Sequence, residues 1–280
     1  MTREGFRMTF FYFFAISRRP RLVFVLFCDP LSGIIKLVMH IWRFLDSAPA
    51  SGHENMALDE MLLSLAAAGE AAPTLRFYTW DPPAVSLGRF QNIGTSVNIE
   101  ACRRNGIDIV RRITGGRAVL HNHELTYGIV SRTNNPLFPD GVLGAYKVIA
   151  SGLLIGLKNL GINAEMVSRS GRHASLVKKD PRDPSCFSSP SWYEILVSGK
   201  KIIGSAQRRA PNAFLQHGSI LIGYHPALEA DIIPGKGARD GVTCIRNELR
   251  RDVSLEEVKR AFLEGFSDAL GTVFSKKAVL

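Results

Sequence analysis

The sequence predicts an α+β fold, a mixed and largely antiparallel sheet with helices packed on it. Three observations carry the prediction. Strand-like segments follow one another directly more often than they alternate with helices, Ser198 and Gly199 join two of them through a tight hairpin, and three amphipathic helices stand outside these runs. A doubly wound nucleotide fold would show the opposite order, strand and helix in regular alternation.

Residues 1–41 differ from the remainder of the chain. They hold two apolar runs, "MTFFYFFAIS" and "LVFVLFCDP", separated by "RRPR". Each is shorter than the roughly 20 residues that a membrane-spanning helix needs. The basic cluster comes after the first apolar run and no small-residue cleavage site is evident, so a signal peptide fits poorly as well. The expectation is an N-terminal extension foreign to the native protein, with Met39 as the start, and then a single domain over 42–280.

The first helix opens at "SGHENMALDEMLLSLAAAG". Ser51 and Glu54 have capping-box spacing, and Leu58, Met61, Leu62 and Leu65 recur at helical period. "TLRFYTW" and "AVSLG" flank the turn residues "DPP" as strands, and "GIDIVRR" is a strand before a paired glycine. "ELTYGIVS" alternates Leu125, Tyr127 and Ile129 against Thr126, Gly128 and Val130. A second helix runs from about Tyr146 to Leu160, with Ile149, Leu153, Leu157 and Leu160 on one stripe and Gly161 as its stop. "WYEILV" and "KKIIGSAQ" form the hairpin arms, and "FLQHGSILIG" is the next strand. A third helix starts at Ser254, with Glu257 three residues on and Val253 and Val258 spaced as a hydrophobic staple.

The chain has 280 residues, 46% hydrophobic and 21% charged, which excludes disordered, collagen-like and coiled-coil classes. A formal charge of +10 favours contact with something acidic. Residues 1–41 hold six basic and two acidic side chains and so contribute +4, leaving +6 for the rest. That remainder suits an acidic protein. No stacking-aromatic or recognition-helix pattern accompanies it, so neither nucleic acid nor membrane is expected as a partner. Cys28, Cys102, Cys186 and Cys244 are widely spaced, with no C-x-x-C pair. Free thiols in a cytoplasmic protein are expected, without disulfides or bound metal.

Two stretches carry chemistry. In "RRITGGRAVLHNHELTYGIV", Gly115 and Gly116 permit positive φ and close approach to the main chain, although an ordinary hairpin turn would also use them. Arg111, Arg112, Arg117 and His121 surround the pair, and four such groups repel unless a ligand, an acid or solvent sits among them. Neither a P-loop nor a dinucleotide fingerprint is present. In "DPRDPSCFSSPSWYE", Cys186 stands in a Pro- and Ser-rich loop where substrate can reach a thiol, whereas a buried structural cysteine is the plain alternative. Fifteen positions on, Lys201 offers an ammonium that favours thiolate. Lys200 beside it must face the other way on a strand.

Together "WRFLDS", "NMALDE", "LRFYTWDPPAVSLGRFQ", "RRITGGRAVLHNHELTY", "PSCFSSPSWYEILVSGKKIIGSAQRR" and "LQHGSILI" resemble the biotin/lipoate protein ligase and octanoyltransferase superfamily, most closely its LipM-type octanoyltransferases. The resemblance runs from Trp42 to about Leu270 and implies a ligase-like catalytic-domain fold. It implies that Cys186 is the acyl-thioester nucleophile, that Lys201 lowers its pKa and orients the acyl carbonyl, and that Gly115, Gly116, Arg117 and His121 line the acyl site. Arg111 and Arg112 would belong to the same substrate site, with Gly204, Ser205 and His217 close by. The implied reaction moves octanoyl from acyl carrier protein to a lysine of a lipoyl domain, such as glycine cleavage H protein, with no cofactor and in a monomer. Adenylating lipoate ligases resemble "GGGAVYHDLGN" where this chain has "GGRAVLHNHELTY", and many carry a further C-terminal domain, for which few residues remain here. ATP-dependent ligation and octanoyl transfer between lipoyl domains are the alternatives. Asn122 stands where the family often has aspartate.

Overall fold

The computed structural model describes residues 25–28, 35–38, 41–167, 194–235 and 241–276. The stretch holding Cys186 lies outside them. Strands β1 (Val25–Cys28) and β2 (Ile35–Val38) pair antiparallel by themselves. Strand β3 (Ile41–Asp46) and helix α1 (Gly52–Ala68) follow. Both halves of the expected capping box are made: Ser51 Oγ accepts from the Glu54 amide, and Glu54 accepts from the Ser51 amide.

Strand β4 (Thr74–Tyr78) pairs with β3, but the chain does not turn back on itself at "DPP". It crosses instead to β5 (Ala84–Leu87) in a second sheet. Two short helices come next, α2 (Ile93–Ser96) and α3 (Ile99–Arg104), capped by Asn92 and Asn98. Then come β6 (Asp108–Arg111), β7 (Val119–His121) and the long β8 (Glu124–Arg132). Because β6 and β7 flank β5 on opposite sides, in the order β6-β5-β7, Gly115 and Gly116 are not a hairpin turn. They bridge across the end of a three-stranded sheet.

Helix α4 (Gly141–Asn159) begins five residues earlier than its stripe suggests. It is long and apolar enough to pass for a membrane span by composition. Its apolar residues have another use, since Ile149, Leu153 and Leu157 are buried in the main core with Val258, Phe262 and Phe266 of α7 (Leu255–Leu270). Strand β9 (Glu165–Met166) lies at one edge of the main sheet. The hairpin of β10 (Ile195–Val197) and β11 (Lys200–Ala210) turns at Ser198 and Gly199, both left-handed at φ 48° and 79°. Then β12 (Ala213–Leu221), α5 (Pro226–Ile232), α6 (Ile245–Leu249), α7 and β13 (Val273–Ser275) complete the order. The eight-stranded sheet runs β13-β3-β4-β8-β12-β11-β10-β9, parallel only at β13–β3 and β3–β4. The α+β expectation is met, and the two sheets meet around a cavity.

Candidate active site

The cavity measures about 620 Å³, within the usual range for a small-molecule site. Strands β11 and β12 form one wall through Gly204, Ser205 and His217; the glycine turn forms another with Gly115, Gly116 and Arg117. Trp80, His121 and Glu194 complete the part with chemical interest.

Arg112 organises the turn. All five of its N–H groups have acceptors: Nε donates to Thr114 Oγ1 (3.1 Å), Nη1 to Ser86 O and Oγ (2.7 and 3.0 Å), and Nη2 to the carbonyls of Gly115 and Arg117 (2.9 and 2.7 Å). Gly116 has φ +93°, and a Cβ there would lie 2.9 Å from Arg112 Nη2, so both backbone conformation and space require glycine. Arg111 turns away. Its Nη1 donates to the carbonyls of Gly88, Arg89 and Gln91, and the side chain does not line the cavity. Backbone carbonyls and hydroxyls therefore relieve the crowding of cations that the sequence poses.

The two hydroxyls on Arg112 each lead to a histidine. Thr114 Oγ1 is 2.7 Å from His217 Nε2, and Ser86 Oγ is 2.8 Å from His121 Nε2. Each oxygen accepts from Arg112, and in both histidines the ring nitrogen left facing away from the hydroxyl is Nδ1. His217 Nδ1 then donates to Asp59 Oδ2 at 2.8 Å. His121 Nδ1 stands 3.5 Å from Glu124 Oε1, too far for a good hydrogen bond. Burial, before anything else, lowers the His121 pKa. Trp80 stacks on that ring at 3.9 Å, and its indole N–H is fixed by Thr126, which in turn donates to Glu124.

Asp59 comes from α1 and is buried. Besides His217 it accepts from Arg76 Nη1 (2.7 Å) and Tyr78 OH (2.9 Å). Burial alone would raise its pKa; the bonds and charges of His217 and Arg76 outweigh that and lower it. Asp59, His217 and Thr114 are connected like an acid–base–nucleophile triad. Thr114 is not such a nucleophile, because it is fully buried, absent from the cavity lining, and its oxygen already accepts from Arg112. The chain is a clamp on the glycine turn. Asp59, Thr114 and Ser86 escaped sequence reasoning, although "NMALDE" contains the first and "RRITGG" the second.

At the far end Lys201 is fully buried and its Nζ donates to Glu194 Oε1 at 2.6 Å. Lys200 is exposed, so strand alternation selects Lys201 as the inward member of the pair. The bond joins it to the cavity through Glu194, a residue sequence reasoning passed over. Cys102 and Cys244 are buried with pKa raised by desolvation, the opposite of an activated thiol. Asn122 lies outside the lining of this cavity. Among the described residues no three His, Cys, Asp or Glu side chains converge on a metal position.

A largely apolar cavity beside a buried lysine–carboxylate pair, on a mixed sheet with a buttressed glycine turn, has the size and lining of a catalytic pocket for a small, apolar group. The chain belongs to the lipoyl protein ligase A/B catalytic-domain family, whose match covers residues 51–267. It is 41% identical over 242 residues to octanoyltransferase LipM of Brevibacillus brevis, covering 83% of this chain and 88% of that one. Identity to octanoyltransferase LipM of Bacillus subtilis is 40%, over 82% of this chain and 86% of the relative. The fold is shared with protein Ta0514 of T. acidophilum bearing lipoic acid (TM-score 0.67, 23% identity, 87% of this chain and 90% of that one). It is also shared with lipoate-protein ligase A bound with ATP (TM-score 0.68, 24% identity, 85% and 89%).

Proposed function

We propose that this protein is an octanoyltransferase of protein lipoylation, working in two thiol-dependent steps. Cys186 Sγ attacks the thioester carbonyl of an octanoyl carrier protein, the carrier thiol leaves, and the acyl group rests on the enzyme as a thioester. A lysine ε-amine of a lipoyl domain, such as glycine cleavage H protein, then attacks that thioester, forming the amide and returning the cysteine thiol. Lys201, or backbone N–H groups of the glycine turn, stabilises the oxyanion of each tetrahedral intermediate.

The observation that carries this reading is the buried Lys201–Glu194 pair at the edge of the cavity. The segment bearing Cys186 joins directly to that pair in sequence. Relatives about 40% identical over most of their length carry the octanoyltransferase name. Against ATP-dependent ligation stands the bonding of Arg111 and Arg112, which the protein's own carbonyls and hydroxyls already engage, leaving them poorly disposed to clamp a phosphate.

The test is incubation with octanoyl-acyl carrier protein without ATP, and then intact mass. An octanoyl adduct on the wild type and none on Cys186→Ala is expected. No adduct, or an adduct that persists in Cys186→Ala, would sink the thiol mechanism. ATP-dependent lipoylation of a lipoyl domain by Cys186→Ala would establish the ligase instead.

A further inference from the structure

The loop Gly88–Gln91 and the glycine turn are one rigid piece. Arg111 Nη1 donates to the carbonyls of Gly88 (3.0 Å), Arg89 (3.2 Å) and Gln91 (2.8 Å). The Gly88 amide donates back to Gln91 Oε1 at 3.0 Å, and the Arg89 amide donates to the Thr114 carbonyl at 2.9 Å. The two segments touch so closely that a Cβ on Gly88 would lie 2.0 Å from the Gly116 carbonyl oxygen. Since Gly116 and Arg117 line the cavity, the loop forms a ledge along that wall.

What this ledge presents to solvent is unusual for a loop so firmly held. Phe90 is 87% exposed, with the Arg89 guanidinium 5.5 Å from its ring centre, and Ile93 just beyond is 40% exposed. Residues 84–98 and 109–123 contain Arg89, Arg111, Arg112 and Arg117 and no aspartate or glutamate. Arg112 is enclosed within the turn, which leaves Arg89 and Arg111 exposed on the ledge. An exposed apolar anchor beside exposed arginines, with no carboxylate in either stretch, complements an acidic protein surface that has an apolar recess. A single exposed aromatic needs no explanation by itself. The rigid mounting, the charge and the position beside the cavity together do.

We propose that this ledge is the docking surface for the acidic carrier protein that delivers the octanoyl thioester, with Phe90 as the apolar anchor and Arg89 meeting carrier carboxylates. The proposal rests on the acyl-transfer reading above. A carrier seated there has its acyl arm beside the glycine turn, where the chain enters the cavity.

The test compares two donors of the same acyl group, octanoyl-acyl carrier protein and octanoyl-pantetheine, in loading Cys186 of the wild type and of Arg89→Glu/Phe90→Ser. Both side chains point into solvent, so the double variant keeps the wild-type melting temperature. Its KM for the carrier-borne donor is expected to rise at least about tenfold, with loading from octanoyl-pantetheine within about twofold of wild type. Added salt should weaken wild-type loading from the carrier and leave the pantetheine reaction unchanged. Unchanged carrier KM, an equal loss with both donors, or a loss confined to transfer onto the lipoyl domain would overturn the docking proposal. So would a wild-type enzyme that loads from octanoyl-pantetheine but not from the carrier. A wild type that loads from neither refutes the acyl-transfer reading itself, and the ledge with it.

Discussion

Asp59→Asn keeps shape and size and removes one charge, and its consequences can be worked from three hydrogen bonds. The carboxylate accepts from Arg76 on one oxygen and from Tyr78 and His217 on the other, so all three neighbours are donors. The new amide NH2 must face donors whichever way it flips. Removing one partner of a buried ion pair costs about 3–5 kcal/mol, because the remaining charge is left without its counter-ion. Arg76 retains Ser47 Oγ (3.0 Å), Asn55 O (3.0 Å) and Asn55 Oδ1 (2.6 Å), which places the expectation near the lower limit, about 3 kcal/mol. At about 2–4 °C per kcal/mol for a chain approaching this size, the melting temperature falls by about 6–12 °C. The pH dependence has a definite sign. The Asp59 pKa is lowered in the folded protein, so its contribution is fully present above the ordinary aspartate value of about 3.9 and is lost as pH falls through the lower folded value. Calorimetry of both proteins should show a constant difference from pH 7 to about pH 4 that narrows below it. The same variant disturbs the His217–Thr114 contact, so octanoyl loading should slow as well. A melting temperature within about 2 °C of wild type at pH 7 would refute the claim that this carboxylate holds the cluster together.

Gly88→Ala places a methyl group against the Gly116 carbonyl, a backbone atom that cannot rotate aside; a stability loss of about 1–3 kcal/mol, read from the urea midpoint, should accompany weaker octanoyl loading. Glu194→Gln leaves the fully buried Lys201 facing a neutral group, with a loss of about 3–5 kcal/mol and impaired loading. Adding Lys201→Met to that variant should restore much of the stability and none of the activity, a separation that denaturation and intact mass read side by side. His121, whose pKa burial lowers, takes up its proton more readily when unfolded. Stability should therefore decline as pH falls from about 6.5 toward the lower folded value, and His121→Gln should flatten that part of a urea-midpoint profile.

How much of this was legible in the sequence depends on whether the cause is local. The Ser51–Glu54 capping box and the Ser198–Gly199 hairpin lie within a few residues of their partners and stand in the structure as the spacing predicts, and Val253 and Val258 at the start of α7 are both buried in the main core. The face of α1 does not match its apolar period. Of Leu58, Met61, Leu62 and Leu65, only Leu62 is fully buried, and Met61 is 50% exposed. The buried stripe runs through Asn55, Asp59, Leu62, Leu63 and Ala66. Two polar residues can face inward there because Arg76 on β4 and His217 on β12 supply their partners, and no window along the chain reveals a partner 158 positions away. Helices α2, α3, α5 and α6 are each shorter than two full turns or barely reach them, too short for periodicity to register, although Asn92 and Asn98 were caps in plain view. The crossing from β4 to β5 was equally hidden, since turn residues at "DPP" mark a change of direction and not the sheet the chain enters next.

The arginines of the glycine turn show why residue type alone misleads about a site. Four candidate cations around two glycines call for a ligand, an acid or solvent among them. A cation in a protein interior can equally be satisfied by carbonyl and hydroxyl oxygens, and Arg112 has the geometry for it, five donors in a plane against three carbonyls and two hydroxyls. A lysine would offer three donors from one point and leave acceptors unmet. The result is a turn ordered before any substrate arrives, with His121 and His217 held by the same guanidinium through Ser86 and Thr114. Such preorganisation fixes a wall but lends it no nucleophile, because every polar atom in the chain from Asp59 to Arg112 is already committed. Covalent chemistry at this cavity therefore calls for a group outside that network, and under the proposed mechanism that group is Cys186, whose segment joins the Lys201–Glu194 end in sequence.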